Sequence, residues 1–215
     1  MHYDVVIARG GPASLSASVR LCQLLLKMGT NLSMCILEKG SEVGLHVLSG
    51  NVFNPRALEG LLLHGVGDGG KGDGGNDGRV PLWTEALLES QGSHATPVSK
   101  DAFLVLTELG GSYRIPSFLL PKQLHNDGNY VISLGKLTRY LGTFAEALGV
   151  EIYPGFAADK VLYADEDDRG GGVRGVATKD VGIGKDGRQR ETFERGVEVV
   201  VTPSSPRAQG DCAPS

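Results

Sequence analysis

The segment DVVIARGGPASLSA, Asp4 to Ala17, has the parts of a nucleotide-binding turn: an apolar strand, a pair of glycines, then the small residues of a helix start. Such a turn holds a dinucleotide with three glycines. The first lets the chain bend, the second lets backbone N–H groups reach the pyrophosphate, and the third lets helix and strand pack closely. The helix N-terminus adds partial positive charge, and an acidic residue ending the next strand takes the ribose hydroxyls. Gly11 holds the second position and Glu38, 24 residues beyond Ser14, holds the acidic one. Arg9 stands at the first position and Ser14 at the third. A side chain in a left-handed conformation at position 9 costs about 1–2 kcal/mol, which a guanidinium swung onto the pyrophosphate would partly offset. Spacing alone leaves three readings open: a working dinucleotide site, a damaged one, and a chance arrangement in a glycine-rich chain.

The elements that must position these residues form a βαβ unit. Tyr3 to Ala8 is a continuous apolar run, as in a strand buried on both faces. Pro12 to Met28 predicts a helix, with Pro12 suited to its first turn, Leu15, Val19, Cys22, Leu25 and Leu26 at helical spacing, and Gly29 as its stop. Leu32 to Leu37 is a second apolar run that ends in Glu38. Further on, Pro55 to Leu63 predicts a short helix. Leu134, Leu137, Leu141, Phe144, Ala145 and Leu148 predict a longer one that Gly149 ends. Strands follow at Val150–Tyr153, Lys160–Tyr163, Val173–Thr178 and Val197–Val201. The fold class expected is α/β: a Rossmann-like βαβ unit with a parallel sheet, plus a small antiparallel β layer.

Between these blocks, Gly65 to Gly78 has eight glycines in fourteen residues, too few side chains to pack a core, and reads as a flexible surface insertion. It lacks the Gly-Lys-Ser/Thr ending of a P-loop. The 215 residues carry 21 basic and 25 acidic side chains for a net charge of −4, with no basic cluster among aromatics, so nucleic acid is not an expected partner. Cys22, Cys35 and Cys212 are scattered, which indicates neither a zinc site nor a disulfide framework. Cys22 and Cys35 lie in apolar runs as small core residues. No stretch approaches the roughly 18 apolar residues of a membrane-spanning helix, and with a strand opening at Tyr3 no signal or transit peptide is expected.

Four longer stretches carry a resemblance. ILEKGSEVGLHVLSGNVFNPRAL, TPVSKDAFLVLTE, HNDGNYVISLGKLTRYLGTFAEALGVEIYPGFAADKVLY and GVATKDVGIGKDGRQRETFERGVEV occur in that order. Together they resemble the electron-transfer flavoprotein–ubiquinone oxidoreductases, a family whose opening IVGGGPAGLSA shows what Arg9 and Ser14 replace. The resemblance implies FAD as cofactor, with reduced electron-transfer flavoprotein as donor and ubiquinone as acceptor. It also implies a place on the matrix face of the mitochondrial inner membrane or an equivalent bacterial membrane. Carried onto this sequence, it implies Gly10, Gly11, Pro12 and Ala13 at the pyrophosphate and Glu38 at the ribose, with Lys39 also among the cofactor-binding residues. His46, Ser49 and Gly50 would pass beside the flavin, and the backbone of Val161 would meet the adenine. Roughly Val43 to Leu63 would begin the membrane-facing surface. No catalytic acid, base or nucleophile is implied, because the cofactor carries the redox chemistry. The polar loop of His125, Asn126, Gly128 and Asn129 is explained equally by a turn and by a flavin contact.

The resemblance also implies domain limits: a FAD-binding βαβ unit with the start of the membrane-facing region over 1–64, the glycine-rich insertion at 65–78, the rest of the FAD-binding domain over 79–200, and a divergent tail at 201–215. The tail, VTPSSPRAQGDCAPS, has three prolines and no apolar period, a disordered composition. The family's 4Fe–4S cluster needs four converging thiolates, and its cysteine ligands have no counterpart here. The chain therefore reads as a partial or decayed copy that exposes a sheet edge where the remaining half docks, with poor solubility expected. Two other classes stay open: a non-catalytic Rossmann-like module without flavin, and a FAD- or NAD-binding reductase of other specificity.

Overall fold

The computed structural model describes residues 1–48, 50–63, 95–108, 110–164, 172–183, 188–202 and 207–208. The glycine-rich insertion, Ser49, and all of the tail beyond Thr202 except Arg207–Ala208 lie outside them. The chain divides into two units, one running from Met1 to Val47 and again from Gly135 onward, the other from Leu48 to Leu134.

In the first unit the opening apolar run is broken in two, β1 (His2–Tyr3) and β2 (Val5–Ala8). The break is at Asp4, whose carboxylate Oδ2 accepts hydrogen bonds from Ser33 N (2.8 Å) and Ser33 Oγ (2.7 Å). Helix α1 (Pro12–Met28) has the predicted limits, with Pro12 at its start and Gly29 closing it in a left-handed conformation at φ 63°. Leu15, Val19, Cys22 and Leu25 are buried, but Leu26 is 54% exposed. Adjacent helical side chains point about 100° apart, so one leucine of the pair faces inward and the other does not. Two residues, Thr30–Asn31, make β3, and the second apolar run becomes β4 (Met34–Glu38).

Strand β4 lies between β2 and β10 (Glu151–Pro154) in a parallel sheet of order β10-β4-β2. Met34 to Leu37 are all buried, while Val5, Val6 and Ile7 are half-buried and Ala8 is exposed. The expectation that Tyr3 to Ala8 is buried on both faces is corrected here: among the described residues β4 is paired on each side and β2 with β4 alone. Helix α3 (Leu134–Ala147) buries Leu137, Leu141 and Ala145; the intervening helix α2 (Arg56–Leu63) belongs to the second unit. A second sheet, β1-β15-β12-β11, uses β11 (Ala158–Tyr163), β12 (Val173–Thr178) and β15 (Glu198–Val201). Its β11–β12–β15 pairings are antiparallel, and β1 joins β15 in parallel. β13 (Val181–Ile183) and β14 (Gln189–Glu194) form a hairpin, and β16 (Arg207–Ala208) pairs with β3.

One polar group ties these sheets together. The phenols of Tyr3, on β1, and Tyr153, on β10, each donate to Glu151 Oε2 at 2.5 Å. Beneath them Tyr3, Cys35, Leu37 and Val199 form a buried cluster joined by Val6, Tyr153, Phe156 and Val176. Burial, with the Glu151 carboxylate nearby, pushes the Cys35 thiol up to about 11. Hydrogen bonds from Tyr153 and then Tyr3 hold the Glu151 carboxyl below its usual 4.5. A carboxyl depressed in the folded state adds stability above its unfolded pKa and loses it as pH falls through the folded value. Glu151→Gln is therefore expected to flatten the fall in stability below about pH 5, read as urea midpoints across the acid range. A variant with the wild-type acid slope would show that the two phenols do not favour the ionised carboxyl.

The second unit holds α2 (Arg56–Leu63), a sheet of β5 (Asn51–Phe53), β9 (Tyr130–Ile132) and β6 (Thr96–Pro97), and a hairpin of β7 (Phe103–Leu106) and β8 (Ser112–Ile115). Leu58 and Ile132 are its buried apolar residues among those described.

Candidate functional site

Three parallel strands end together: β2 at Ala8, β4 at Glu38 and β10 at Pro154, with Ala8↔Leu37 and Pro154↔Glu38 in register. In open α/β sheets ligands bind outside the carboxyl ends of the strands, and this end carries the Arg9–Gly11 turn. Arg9 is exposed, adopts φ 81°, and is the one non-glycine residue at positive φ among those described. Its amide donates to Leu37 O at 2.7 Å. Gly11 caps α1 without a side-chain hydrogen bond and without an acidic residue in the first turn. The amides of Ala13 and Ser14 therefore sit among the helix-start donors that have no intrahelical acceptor, beside the positive end of a 17-residue helix.

Glu38 meets this turn directly. Its Oε2 accepts from Gly10 N at 2.6 Å and its Oε1 from Gly40 N at 2.7 Å. Two amides fix the carboxylate at the helix head, and each oxygen keeps a further lone pair for a hydroxyl. The glycines make room for this. A Cβ at Gly10 would stand 3.1 Å from Glu38 Oε2, and one at Gly40 would stand 3.1 Å from Oε1 and 3.2 Å from His46 Nδ1. At Gly11 a Cβ would meet nothing within 4 Å, so the space over the turn is open. Gly155 N, just past β10, donates to Gly40 O at 2.8 Å and closes the third side.

The Ser41–His46 segment packs on α3 through small residues. A Cβ at Gly44, which has φ 80°, would lie 2.6 Å from Gly135 O, and one at Gly142 would lie 3.2 Å from Val43 Cγ1. Across the same contact, Arg139 and Glu42 pair at 3.4 Å on the surface, an interaction worth about 0–1 kcal/mol. The carboxylate, its two glycine amides and the His46 ring thus belong to one arrangement, held to α3 from behind.

Of the residues named from sequence, Gly10, Gly11, Glu38 and His46 are gathered here, with Pro12, Ala13 and the exposed Lys39 adjoining them along the chain. Val161 is 49% exposed on β11, an edge strand of the other sheet. Gly50 belongs to the second unit, where its amide donates to Ile132 O at 3.1 Å. Ser49 lies outside the described residues. The 125–129 loop forms a turn: Asn126 N and Nδ2 donate to Asp101 Oδ2 at 3.0 and 3.4 Å, Asn129 N donates to Asn126 O at 3.1 Å, and Gly128 has φ 77°. Sequence reasoning missed Gly40 and Gly155. The signal for Gly40 was its place two residues after the strand-end acid.

No family model matches the chain. Curated relatives do. The mitochondrial electron transfer flavoprotein-ubiquinone oxidoreductase of Oryza sativa subsp. japonica is 47% identical over 199 residues, 93% of this chain and 29% of the relative. That of Pseudomonas aeruginosa is 44% identical over 193 residues, 90% of the chain and 30% of the relative. Over nine-tenths of its length, this chain is a homologue of electron transfer flavoprotein-ubiquinone oxidoreductase. The mitochondrial relative of Mus musculus adds 42% identity over 91% of the chain and 27% of its own length. The chain spans under a third of the oxidoreductases it matches.

Solved structures agree on fold. A geranylgeranyl bacteriochlorophyll reductase-like protein from Thermoplasma acidophilum has a TM-score of 0.51 at 16% identity, covering 93% of this chain and 37% of its own. The flavin-dependent monooxygenase PieE, solved with FAD and substrate, has a TM-score of 0.51 at 17% identity over 93% and 29%. The expected α/β class, a parallel Rossmann-like sheet with a small antiparallel layer, is the one observed.

Proposed function

We propose that this chain is the FAD-binding portion of an electron transfer flavoprotein-ubiquinone oxidoreductase. The observation that carries the reading is the Glu38 carboxylate held by two glycine amides at the head of α1, in a chain 42–47% identical to those oxidoreductases. The donor set fits the cofactor. The amides of Gly11, Ala13 and Ser14 would face the pyrophosphate, and Glu38 would take ribose hydroxyls on its free lone pairs. Gly10 would work through Glu38, since its amide already donates there. Lys39 and His46 would border the site, Ser49 and Gly50 would pass the flavin, and Val161 would meet the adenine.

Bound FAD supplies a redox couple; the chain's own residues anchor it and exclude alternative poses. In the complete enzyme the electrons would come from reduced electron transfer flavoprotein and leave to ubiquinone. The mitochondrial relatives favour a mitochondrial address, and the matrix face of the inner membrane is the place proposed within it. Among the described residues no helix is long and apolar enough to cross a membrane, and Leu45 and Leu48 are exposed on the segment proposed to approach its surface.

Titration of flavin-free protein into FAD, followed by flavin fluorescence, tests the reading. Saturable binding is expected. Hydrogen bonds to a charged group contribute about 1.5–3 kcal/mol, so Glu38→Gln should weaken binding by about ten-fold or more. No binding by the wild-type chain would favour the flavin-free module, and equal binding by the variant would show that the Glu38 carboxylate does not hold the cofactor.

A further inference from the structure

Two side chains converge over Gly40. A Cβ built there would stand 3.1 Å from Glu38 Oε1, 3.2 Å from His46 Nδ1 and 3.0 Å from the backbone oxygen of Glu42. Glu38 Oε1 and His46 Nδ1 are therefore separated by no more than the sum of the first two distances. The chain is bent to bring them together. Leu45 N donates to Glu42 O at 3.4 Å and Val47 N to Gly44 O at 3.3 Å, two overlapping turns that fold the segment back on itself. Gly44, at φ 80°, permits the bend, and its close approach to Gly135 O holds the turns on α3. His46 itself is exposed.

The sequence resemblance groups His46 with Ser49 and Gly50 beside the flavin. The structure separates His46 from Gly50. The boundary between the two units falls after Val47, so His46 belongs with Glu38 and the α1 turn. Gly50 belongs to the second unit, where its amide already donates to Ile132 O. The covalent order of FAD gives this division a chemical meaning. Its adenosine ribose is one methylene from the diphosphate, whereas the isoalloxazine lies beyond the diphosphate and the whole ribityl chain. A ring that shares Gly40 with the ribose carboxylate is thus placed for the ribose–diphosphate end.

An imidazole suits that place. Neutral, it offers one N–H donor, and protonated it offers two; a hydrogen bond to a phosphate oxygen is strengthened by the charge on the acceptor. Glu38 cannot take this part, because a carboxylate only accepts and is repelled by a diphosphate. We infer that His46 is a ligand of the ADP half of the cofactor, donating to a diphosphate oxygen beside the ribose that Glu38 holds, and that it does not contact the flavin. The inference rests on the proposed cofactor site, but concerns a part of that site that ADP alone would fill.

Calorimetric titration of flavin-free protein with ADP, FMN and FAD tests it, since ADP carries the adenosine end of the cofactor and FMN the flavin end. Both variants named here change an exposed side chain and should keep the wild-type circular dichroism. His46→Ala should weaken ADP and FAD by the same factor, about ten-fold for one hydrogen bond to a charged acceptor, and leave FMN as in wild type. His46→Gln keeps an N–H donor and should recover part of the loss, a rescue that a role in packing alone would not give. With FAD saturating, the flavin of His46→Ala should keep the wild-type visible spectrum and midpoint potential, both of which a contact with the isoalloxazine would move. Unchanged ADP affinity in His46→Ala, or a shifted flavin spectrum or potential, would overturn the inference; with FAD still bound by the wild type, the cofactor proposal would stand. ADP binding that His46→Ala weakens, in a chain that takes no FAD, would sustain the role of the histidine and defeat the cofactor proposal. A wild-type chain that binds neither ligand would overturn both.

Discussion

Gly44→Ala is expected to be among the most damaging single-methyl additions to this chain. Two separate effects meet at that position. Its φ of 80° lies where an L side chain is strained by about 1–2 kcal/mol. Its Cβ would also stand 2.6 Å from the backbone oxygen of Gly135 and 3.2 Å from Thr138 Cβ. A carbonyl at the start of a helix cannot rotate aside as a flexible side chain can, so relief requires moving α3 from the Ser41–His46 segment, an overpacking of about 1–3 kcal/mol. Alanine loses less backbone entropy than glycine on folding, which returns about 0.5–1 kcal/mol. The sum is a loss of about 1–4 kcal/mol, measured by urea unfolding. Gly29→Ala separates the two effects. Gly29 is also left-handed, at φ 63°, but a Cβ there meets nothing within 4 Å, so its loss should stay near 1 kcal/mol. Equal losses at the two positions would show that the Gly44–Gly135 approach carries no strain of its own. The same substitution should weaken FAD binding, because His46 belongs to the displaced segment and Gly40 directly precedes it.

What sequence could and could not reveal divides along the physics of range. The limits of α1 were legible because proline at its start and glycine at its end act locally, and the α3 face was legible because Leu137, Leu141 and Ala145 recur at helical spacing. Glu38 was found from its distance to the turn. That distance has meaning only because a βαβ unit brings neighbouring strand ends together. The break at Asp4 was not legible. It depends on the carboxylate meeting Ser33, 29 residues away, and nothing in YDVVIA announces that pairing. The partial exposure of β2 was hidden for a related reason: an apolar run reports what a strand prefers, not whether both neighbours are present. Gly40 and Gly155 escaped because their roles are contacts between loops, Gly155 N on Gly40 O and Gly40 N on Glu38, rather than patterns within one. The tyrosine pair on Glu151 joins residues 148 and 2 positions apart and leaves no local signature either.

Arg9→Gly should raise stability without a matching rise in FAD affinity, and the separation of the two is informative. At φ 81° the arginine backbone is strained by about 1–2 kcal/mol, and the substitution relieves it. The glycine is freer in the unfolded chain, which takes back about 0.5–1 kcal/mol. The net gain is about 0.5–1 kcal/mol. The strain, however, is present with and without cofactor, and a term common to both states cancels from a binding equilibrium. Affinity changes only through the side chain. Arg9 is exposed beside a turn whose ceiling at Gly11 is open, so its guanidinium neither blocks the amides of Ala13 and Ser14 nor is fixed onto a diphosphate. Arg9→Gly should thus shift the denaturation midpoint upward and leave the FAD dissociation constant within about three-fold, a difference under 1 kcal/mol. Arg9→Leu keeps the strain and removes the charge; it should match wild type in stability and bind FAD with the same salt dependence. A ten-fold or greater loss of affinity in both variants would instead make the guanidinium a ligand of the diphosphate, and an unchanged midpoint in Arg9→Gly would show that the turn carries no strain at position 9.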